Sequence, residues 1–160
     1  MGANELSAQL WRQRELLELL LFKYEEERLL LAAGKTRWIP QATREIEKVV
    51  ERLKEASLSL SVALVDVAKV WQLPDGALLR DVVNAAPELM WRDIFNEHLN
   101  ALIGLITEIR GIRSGNVHLV RSALDQARGT IGDPIAPVTY SAAGRPDYTV
   151  PVARLIDESL

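Results

Sequence analysis

The chain has 160 residues, of which 48% are hydrophobic and 26% charged, and its formal net charge is -3 at pH 7. This is enough for one domain with a sizeable core, while the interspersed charges argue against nucleic acid, which requires clustered lysine and arginine. The absence of cysteine excludes disulfides, thiolate catalysis and cysteine-ligated metals.

The apolar stretches are too short to cross a membrane. The most apolar, residues 56–65 and 99–106, fall well below the roughly 20 residues that a spanning helix needs. The N-terminal sequence MGANELSAQL lacks the basic region and apolar core of a signal peptide. We therefore expect a cytoplasmic protein without stable membrane insertion.

The first predicted helix covers residues 5–33 and is apolar on more than one side. One stripe consists of Leu6, Leu10, Leu17, Leu20, Tyr24 and Leu31. Further apolar residues lie beyond that stripe: Leu16, Leu19, Phe22, Leu29 and Leu30. Such a helix is either central in its bundle or available to a partner. Gly34 stands where a left-handed helix cap is expected.

The second predicted helix, residues 37–72 with Thr36 as N-cap, has a strict heptad of apolar residues. They are Ile39, Ala42, Ile46, Val49, Leu53, Ala56, Leu60, Ala63, Val67 and Val70. This period is that of a seam between long supercoiled helices, in one chain or between copies. Residues 57–62 alternate with period two like a strand, but the heptad keeps phase on both sides, so we predict a helix there.

A short connecting helix is predicted at residues 77–85, and a third long helix from Pro87 to residue 129. Three glycines weaken the third helix, each by about 1 kcal/mol relative to alanine: Gly104, Gly111 and Gly115. We predict one long helix that can kink at residues 114–116, with a turn there as the alternative. The expected fold is all-α, an elongated antiparallel bundle of three long helices plus the connecting helix, in residues 1–129.

Residues 130–160 form a tail in which glycine and proline recur too often for a long helix. The tail is nevertheless rich in large apolar and aromatic residues, and a solvated linker would be poorer in them. We interpret it as a flexible segment that binds a partner. For Tyr140 and Tyr148, binding and structural docking both stay open.

No constellation of residues predicts catalysis, a cofactor or a metal site. His98 and His118 lack the Glu-x-x-His spacing of carboxylate-bridged metal bundles, and we interpret His98 as a core residue. The acidic residues 25–27 cannot converge, because successive helical residues point about 100° apart. Residues 34–36 imitate the end of a phosphate loop, but Leu29 stands where its first glycine belongs.

Residues 20–38, LLFKYEEERLLLAAGKTRW, resemble the first helix, turn and second helix of FlgN-type flagellar export chaperones. The layout of the whole chain is similar to that family: a long helical hairpin, a third long helix and a flexible tail. Residues 139–144, TYSAAG, are similar to its tail element, a tyrosine with a glycine four residues on.

This resemblance implies a small, cytoplasmic, non-enzymatic chaperone of the flagellar type III secretion system. Such chaperones bind the C-terminal regions of the hook–filament junction (hook-associated) proteins, prevent their premature assembly and deliver them to the export gate. The resemblance also implies that Tyr140 and Gly144 belong to the element that contacts the gate.

The terminal segment of such a client is expected to be an amphipathic helix, which an apolar groove can complete into a bundle. We hypothesise that the client-binding residues lie on the first helix and in the tail. They are Leu16, Leu19, Phe22, Leu29, Val138, Tyr148, Leu155 and Ile156. The sequence does not say which junction protein is the client.

Two other classes of protein stay open from the residues alone. A self-assembling structural coiled-coil protein would use the excess apolar surface as a seam between copies, with a homodimer as its simplest state. A helical-bundle enzyme or metal protein would need converging ligands that the sequence does not bring together.

Overall fold

The protein is all-helical wherever its structure is described. The computed structural model describes residues 2–130 and Leu155. The elements are α1 (Gly2–Ala32), a 3-10 turn (Thr36–Trp38), α2 (Ile39–Val70), the short α3 (Leu79–Ala85) and α4 (Leu89–Thr130). The long helices pack antiparallel, which confirms the predicted fold class.

Helix α1 is the central element of the bundle. It packs along both α2 and α4, whereas α3 packs mainly against α4. Leu6, Leu10 and Leu17 on its inner side have no exposed surface. The central position accounts for the part of its apolar surface that faces its two neighbours.

The heptad residues of α2 line a core within this one chain. All of them are buried except the first and the last: Ile39 is half-buried and Val70 is 73% exposed. Each fully buried valine or leucine contributes about 1.5–3 kcal/mol relative to an exposed one, so this seam is a main source of stability. Residues 57–62, strand-like in sequence, lie inside the continuous helix as predicted.

The connection from α1 to α2 begins with a glycine cap. Gly34 has a φ of 65°. The Lys35 amide donates to the Leu30 carbonyl at 2.9 Å, and the Gly34 amide donates to the Leu31 carbonyl at 3.2 Å. This pair of bonds defines a Schellman motif, which satisfies carbonyls at the helix end. The cap expected at Gly34 is confirmed.

The predicted start of α2 was two residues too early. Thr36 lies in the 3-10 turn and not at the N-cap, because the chain makes that extra turn before the α-helix begins at Ile39. Trp38 is the N-cap residue and makes no side-chain capping hydrogen bond. Pro40 falls in the first turn, where its missing amide costs nothing.

Helix α4 runs without interruption through its glycines. The alternative of a turn at residues 114–116 is wrong, since the helix continues to Thr130. Asn116 is fully buried in α4 and donates its side-chain amide to the Tyr24 carbonyl at 2.9 Å and to Glu27 at 3.1 Å. These bonds join α4 to α1 next to Gly115, one of the glycines that weaken the helix.

Candidate functional site

The side of α1 that faces away from the core carries three large exposed hydrophobic residues. Trp11 is 50%, Phe22 59% and Leu29 69% exposed. Their spacings of eleven and seven residues place them on one side of the helix, because both intervals are close to whole numbers of turns. We call these three residues the α1 outer face.

The four residues predicted on the first helix divide between this face and the core. Phe22 and Leu29 lie on the α1 outer face. Leu19 is half-buried and packs against the core, and Leu16 is only 4% exposed. Leu16 therefore holds α1 against its neighbours in the free chain and adds nothing to the exposed surface.

Carboxylates alternate with the hydrophobic residues of the α1 outer face. Glu15 and Glu18 precede Phe22 by seven and four residues, and Glu25 precedes Leu29 by four, so these exposed carboxylates share that side of α1. The result is an apolar stripe with three carboxylates along it, and with the cations of Arg14 and Lys23 beside Trp11 and Phe22. An amphipathic helix with basic residues beside its apolar face fits such a surface by charge as well as by hydrophobicity.

Lys23 ties the edge of this face to α2. Its ammonium donates to Glu45 at 2.6 Å and to Glu26 at 3.4 Å, and it lies 5.6 Å from the centre of the Phe22 ring. The hydrogen bond to Glu45 raises the pKa of Lys23, and the same bond lowers the pKa of Glu45. Both groups are therefore charged at neutral pH.

A second exposed apolar stripe lies on α2 and was not predicted. Leu58 is 71%, Val62 63% and Val65 47% exposed. We call these three residues the α2 outer face. Their spacing of four and three residues is the sequence signal for this face, but it overlaps the strand-like alternation of residues 57–62 and is shorter than the heptad.

A cluster of polar and aromatic residues joins α1 to α4 near Trp11. His98 is 2% exposed, and its ring meets the Trp11 ring edge-on at 5.0 Å between centroids. Arg14 lies 3.4 Å from both His98 Nδ1 and Glu97, and its guanidinium stacks over Trp11 at 4.3 Å. Burial lowers the pKa of His98, and the charge of Arg14 adds to that effect while Glu97 opposes it. The interpretation of His98 as a core residue agrees with this position.

The aromatic residues at one end of the bundle enclose a shallow cavity. Trp71 and Trp91 pack against Phe95, with ring centroids at 6.1 and 5.4 Å. The cavity beside them has a volume of about 120 Å³ and is closed on another side by Gly2 and Val67. Among the residues that line it, Glu88 alone has a titratable side chain, so the cavity lacks the converging groups of a catalytic pocket.

Most of the residues predicted in the tail lie outside the described part of the chain: Val138, Tyr140, Gly144, Tyr148 and Ile156. Leu155 is described. It is helical and half-buried, and it packs against the hydrophobic core. That contact places one tail residue on the bundle of the free chain.

The described residues contain neither a candidate metal site nor a candidate membrane-spanning helix. Within residues 2–130 and Leu155, no three histidine, cysteine, aspartate or glutamate side chains are close enough together to hold a metal ion. In the same part of the chain, no helix is long and apolar enough to cross a membrane.

The comparison with protein families decides among the classes that the geometry leaves open. The family model described as FlgN protein matches residues 1–146. This chain belongs to the FlgN family. The family consists of non-enzymatic flagellar export chaperones for hook-associated proteins, so the enzyme and the purely structural coiled coil are set aside. Comparison with curated proteins and with solved structures gave no match.

The family match covers the three long helices and the first part of the tail. It includes Tyr140 and Gly144 and ends before Tyr148. The family assignment thus extends to the element that the sequence resemblance associated with the export gate, while the last 14 residues depend on their own chemistry.

Proposed function

We propose that the α1 outer face holds the terminal helix of a hook-associated client. The observation that carries this proposal is the exposure of Phe22 and Leu29, seven residues apart on one side of α1. Seven residues match the repeat of an amphipathic helix, so one apolar stripe can follow the other over several turns. Aromatic and large aliphatic side chains of this kind are common anchors of interfaces.

The same contact accounts for protection of the client. A junction protein exposes its apolar terminal helix until it assembles, and that surface favours association with other copies. Covering it with the α1 outer face removes the apolar surface from water, worth about 25 cal/mol per Å² before ordering costs are subtracted. The chaperone then keeps its client monomeric in the cytoplasm until export.

We assign the tail two roles in the same proposal. Val138, Tyr148, Leu155 and Ile156 complete the client site, and Tyr140 with Gly144 docks on the export gate. The half-buried Leu155 supports the first role, because it is a tail residue that packs against the bundle. The reach of the family match past Gly144 supports the second.

Replacing Tyr140 by alanine should weaken binding to the purified gate protein and leave client affinity unchanged.

The client site is tested with a labelled peptide from the C-terminal segment of a hook-associated protein of the same source. Phe22→Asp and Leu29→Asp should each weaken peptide binding by about tenfold or more, because a carboxylate must be desolvated against the peptide's apolar face. Fluorescence anisotropy gives the affinity, and far-UV circular dichroism checks that helix content persists.

Leu58→Asp serves as the matched control. Leu58 is 71% exposed, similar to Leu29 at 69%, but it lies on α2 and not on the α1 outer face. It should leave the peptide affinity within a factor of about two of wild type. Equal loss in all three variants, or none in Phe22→Asp and Leu29→Asp, contradicts the proposal.

A further inference from the structure

The α2 outer face is an apolar stripe that the bundle leaves uncovered and the client proposal does not use. Leu58, Val62 and Val65 are all exposed by roughly half or more. They lie on the opposite side of α2 from the buried heptad, which already faces the core. Small residues, Ser59 and Ser61, border the stripe and allow another helix to approach closely.

Glu55 and Lys69 are charges of opposite sign toward the two ends of this stripe, beside the Lys54–Glu51 ion pair at one end and Asp66 at the other. Glu55 lies seven residues before Val62, and Lys69 lies seven residues after it. An interval of seven returns nearly to the same side of a helix, so both charges border the α2 outer face. Both side chains are exposed, and no ion pair within residues 2–130 engages either of them.

We propose that the α2 outer face is the contact of a homodimer, in which two copies of α2 pack antiparallel about a two-fold axis at Val62. In this register Val62 meets the partner's Val62. Leu58 is level with the partner's Asp66 and packs against the adjacent Val65 of the partner. Glu55 faces the partner's Lys69, and the symmetry repeats that ion pair on the other side of the axis.

The charge pattern of the α2 outer face matches a second copy of itself only when the two helices run antiparallel. A parallel pair would set Glu55 beside Glu55 and Lys69 beside Lys69, and like charges in contact are unfavourable. The contact is also small compared with the roughly 800 Å² per partner of a stable interface. Asp66 lies at the edge of the face and has no cationic counterpart in this register. We therefore expect a weak dimer whose population depends on the protein concentration.

Sedimentation velocity of the full chain over about 1–300 µM tests the dimer, because that range brackets a weak self-association. The weight-average sedimentation coefficient of the wild-type chain should rise with concentration from the monomer value toward the dimer value. That of Val62→Asp should stay at the monomer value throughout. Glu55→Lys and Lys69→Glu should each weaken the dimer by about tenfold, because each sets two like pairs across the axis. The double variant Glu55→Lys/Lys69→Glu should recover most of the wild-type association.

Recovered association in the double variant would show that Glu55 and Lys69 pair with each other between two copies, because a different partner on this face would not restore the pair. A wild-type chain that stays monomeric overturns the proposal, and so does a double variant as weak as its parents. If Val62→Asp loses the client peptide while the dimer persists, the α2 outer face belongs to the client and the inference is wrong. Phe22→Asp should leave the dimer intact, so failure of the client proposal is recognised separately.

Discussion

Gln72 ends α2 in a backbone conformation that glycine adopts at lower cost. Its φ is 56°. The Leu73 amide donates to the Ala68 carbonyl at 2.8 Å and the Gln72 amide to the Lys69 carbonyl at 3.2 Å, the same pattern that the Lys35 and Gly34 amides make at the end of α1. Two helix ends therefore share one geometry but differ in residue type, and the left-handed conformation costs about 1–2 kcal/mol for a residue with a Cβ.

Replacing Gln72 by glycine should raise the free energy of unfolding. The relieved strain exceeds the roughly 0.5–1 kcal/mol by which a flexible glycine favours the unfolded chain, so we expect a net gain of about 0.5 kcal/mol. Urea denaturation followed by circular dichroism measures it. The reverse change, Gly34→Ala, meets no atom within 4 Å, so the same balance with the opposite sign should lower the free energy of unfolding by about 0.5 kcal/mol. A loss of stability in Gln72→Gly would contradict this account.

His98 should make the stability of the protein depend on pH. Burial and the Arg14 charge lower its pKa below the ordinary value of 6.5. Below pH 6.5 the unfolded chain therefore binds a proton that the folded chain does not, and the free energy of unfolding falls as the pH drops. Urea denaturation between pH 7.5 and about 5 should show this decline, since the imidazole has to stay neutral in the core.

His98→Gln should flatten that part of the pH profile, because glutamine keeps a polar group beside Arg14 but does not titrate. His118 lies exposed on the same helix, so His118→Gln should keep the wild-type slope. If the two variants have the same profile, the dependence arises elsewhere.

At the scale of whole helices, the buried seam of α2 could be predicted from the sequence. The division of α1 into a buried side and an exposed side could not. The heptad has one period and one phase, and burial follows it from Ala42 to Val67. In α1, leucines stand on nearly every side, so periodicity alone does not separate buried Leu16 from exposed Leu29. Their separation depends on where α2 and α4 lie, which is a property of the tertiary fold.

The junction between α1 and α4 depends on a polar pair inside the core. Asn116 donates to Tyr24 and to Glu27, and Thr43 of α2 also approaches Glu27 at 3.5 Å. Asn116→Ala removes two donors from buried acceptors, so we expect a loss of about 1–3 kcal/mol in the free energy of unfolding. Urea denaturation with circular dichroism measures the change.

Asn100→Ala is the control for that variant. Asn100 lies exposed on the same helix, and its replacement should change the free energy of unfolding by no more than about 0.5 kcal/mol. Similar effects at both positions would mean that the loss reflects helix propensity and not the buried hydrogen bonds.

For the whole molecule, we propose that the bundle separates three tasks among different surfaces. The core joins α1 to both neighbours, and the two outer faces stay exposed. In our proposals, the α1 outer face serves a client and the α2 outer face serves a second copy. Each exposed face lies on a helix whose other side is buried. Substitutions on these faces should therefore change binding while the fold stays intact.

Client binding should stabilise the whole bundle, because α1 carries both the proposed client face and the main core contacts. A ligand that binds only the folded state adds about 2.7 kcal/mol to the free energy of unfolding when its concentration is 100 times its dissociation constant. The hook-associated peptide should therefore raise the urea midpoint of the wild-type chain. It should raise the midpoint of Val62→Asp equally, because that residue lies on α2, and should have little effect on Phe22→Asp. A peptide that stabilises Phe22→Asp as much as wild type would show that the client binds away from the α1 outer face, whatever the state of the dimer.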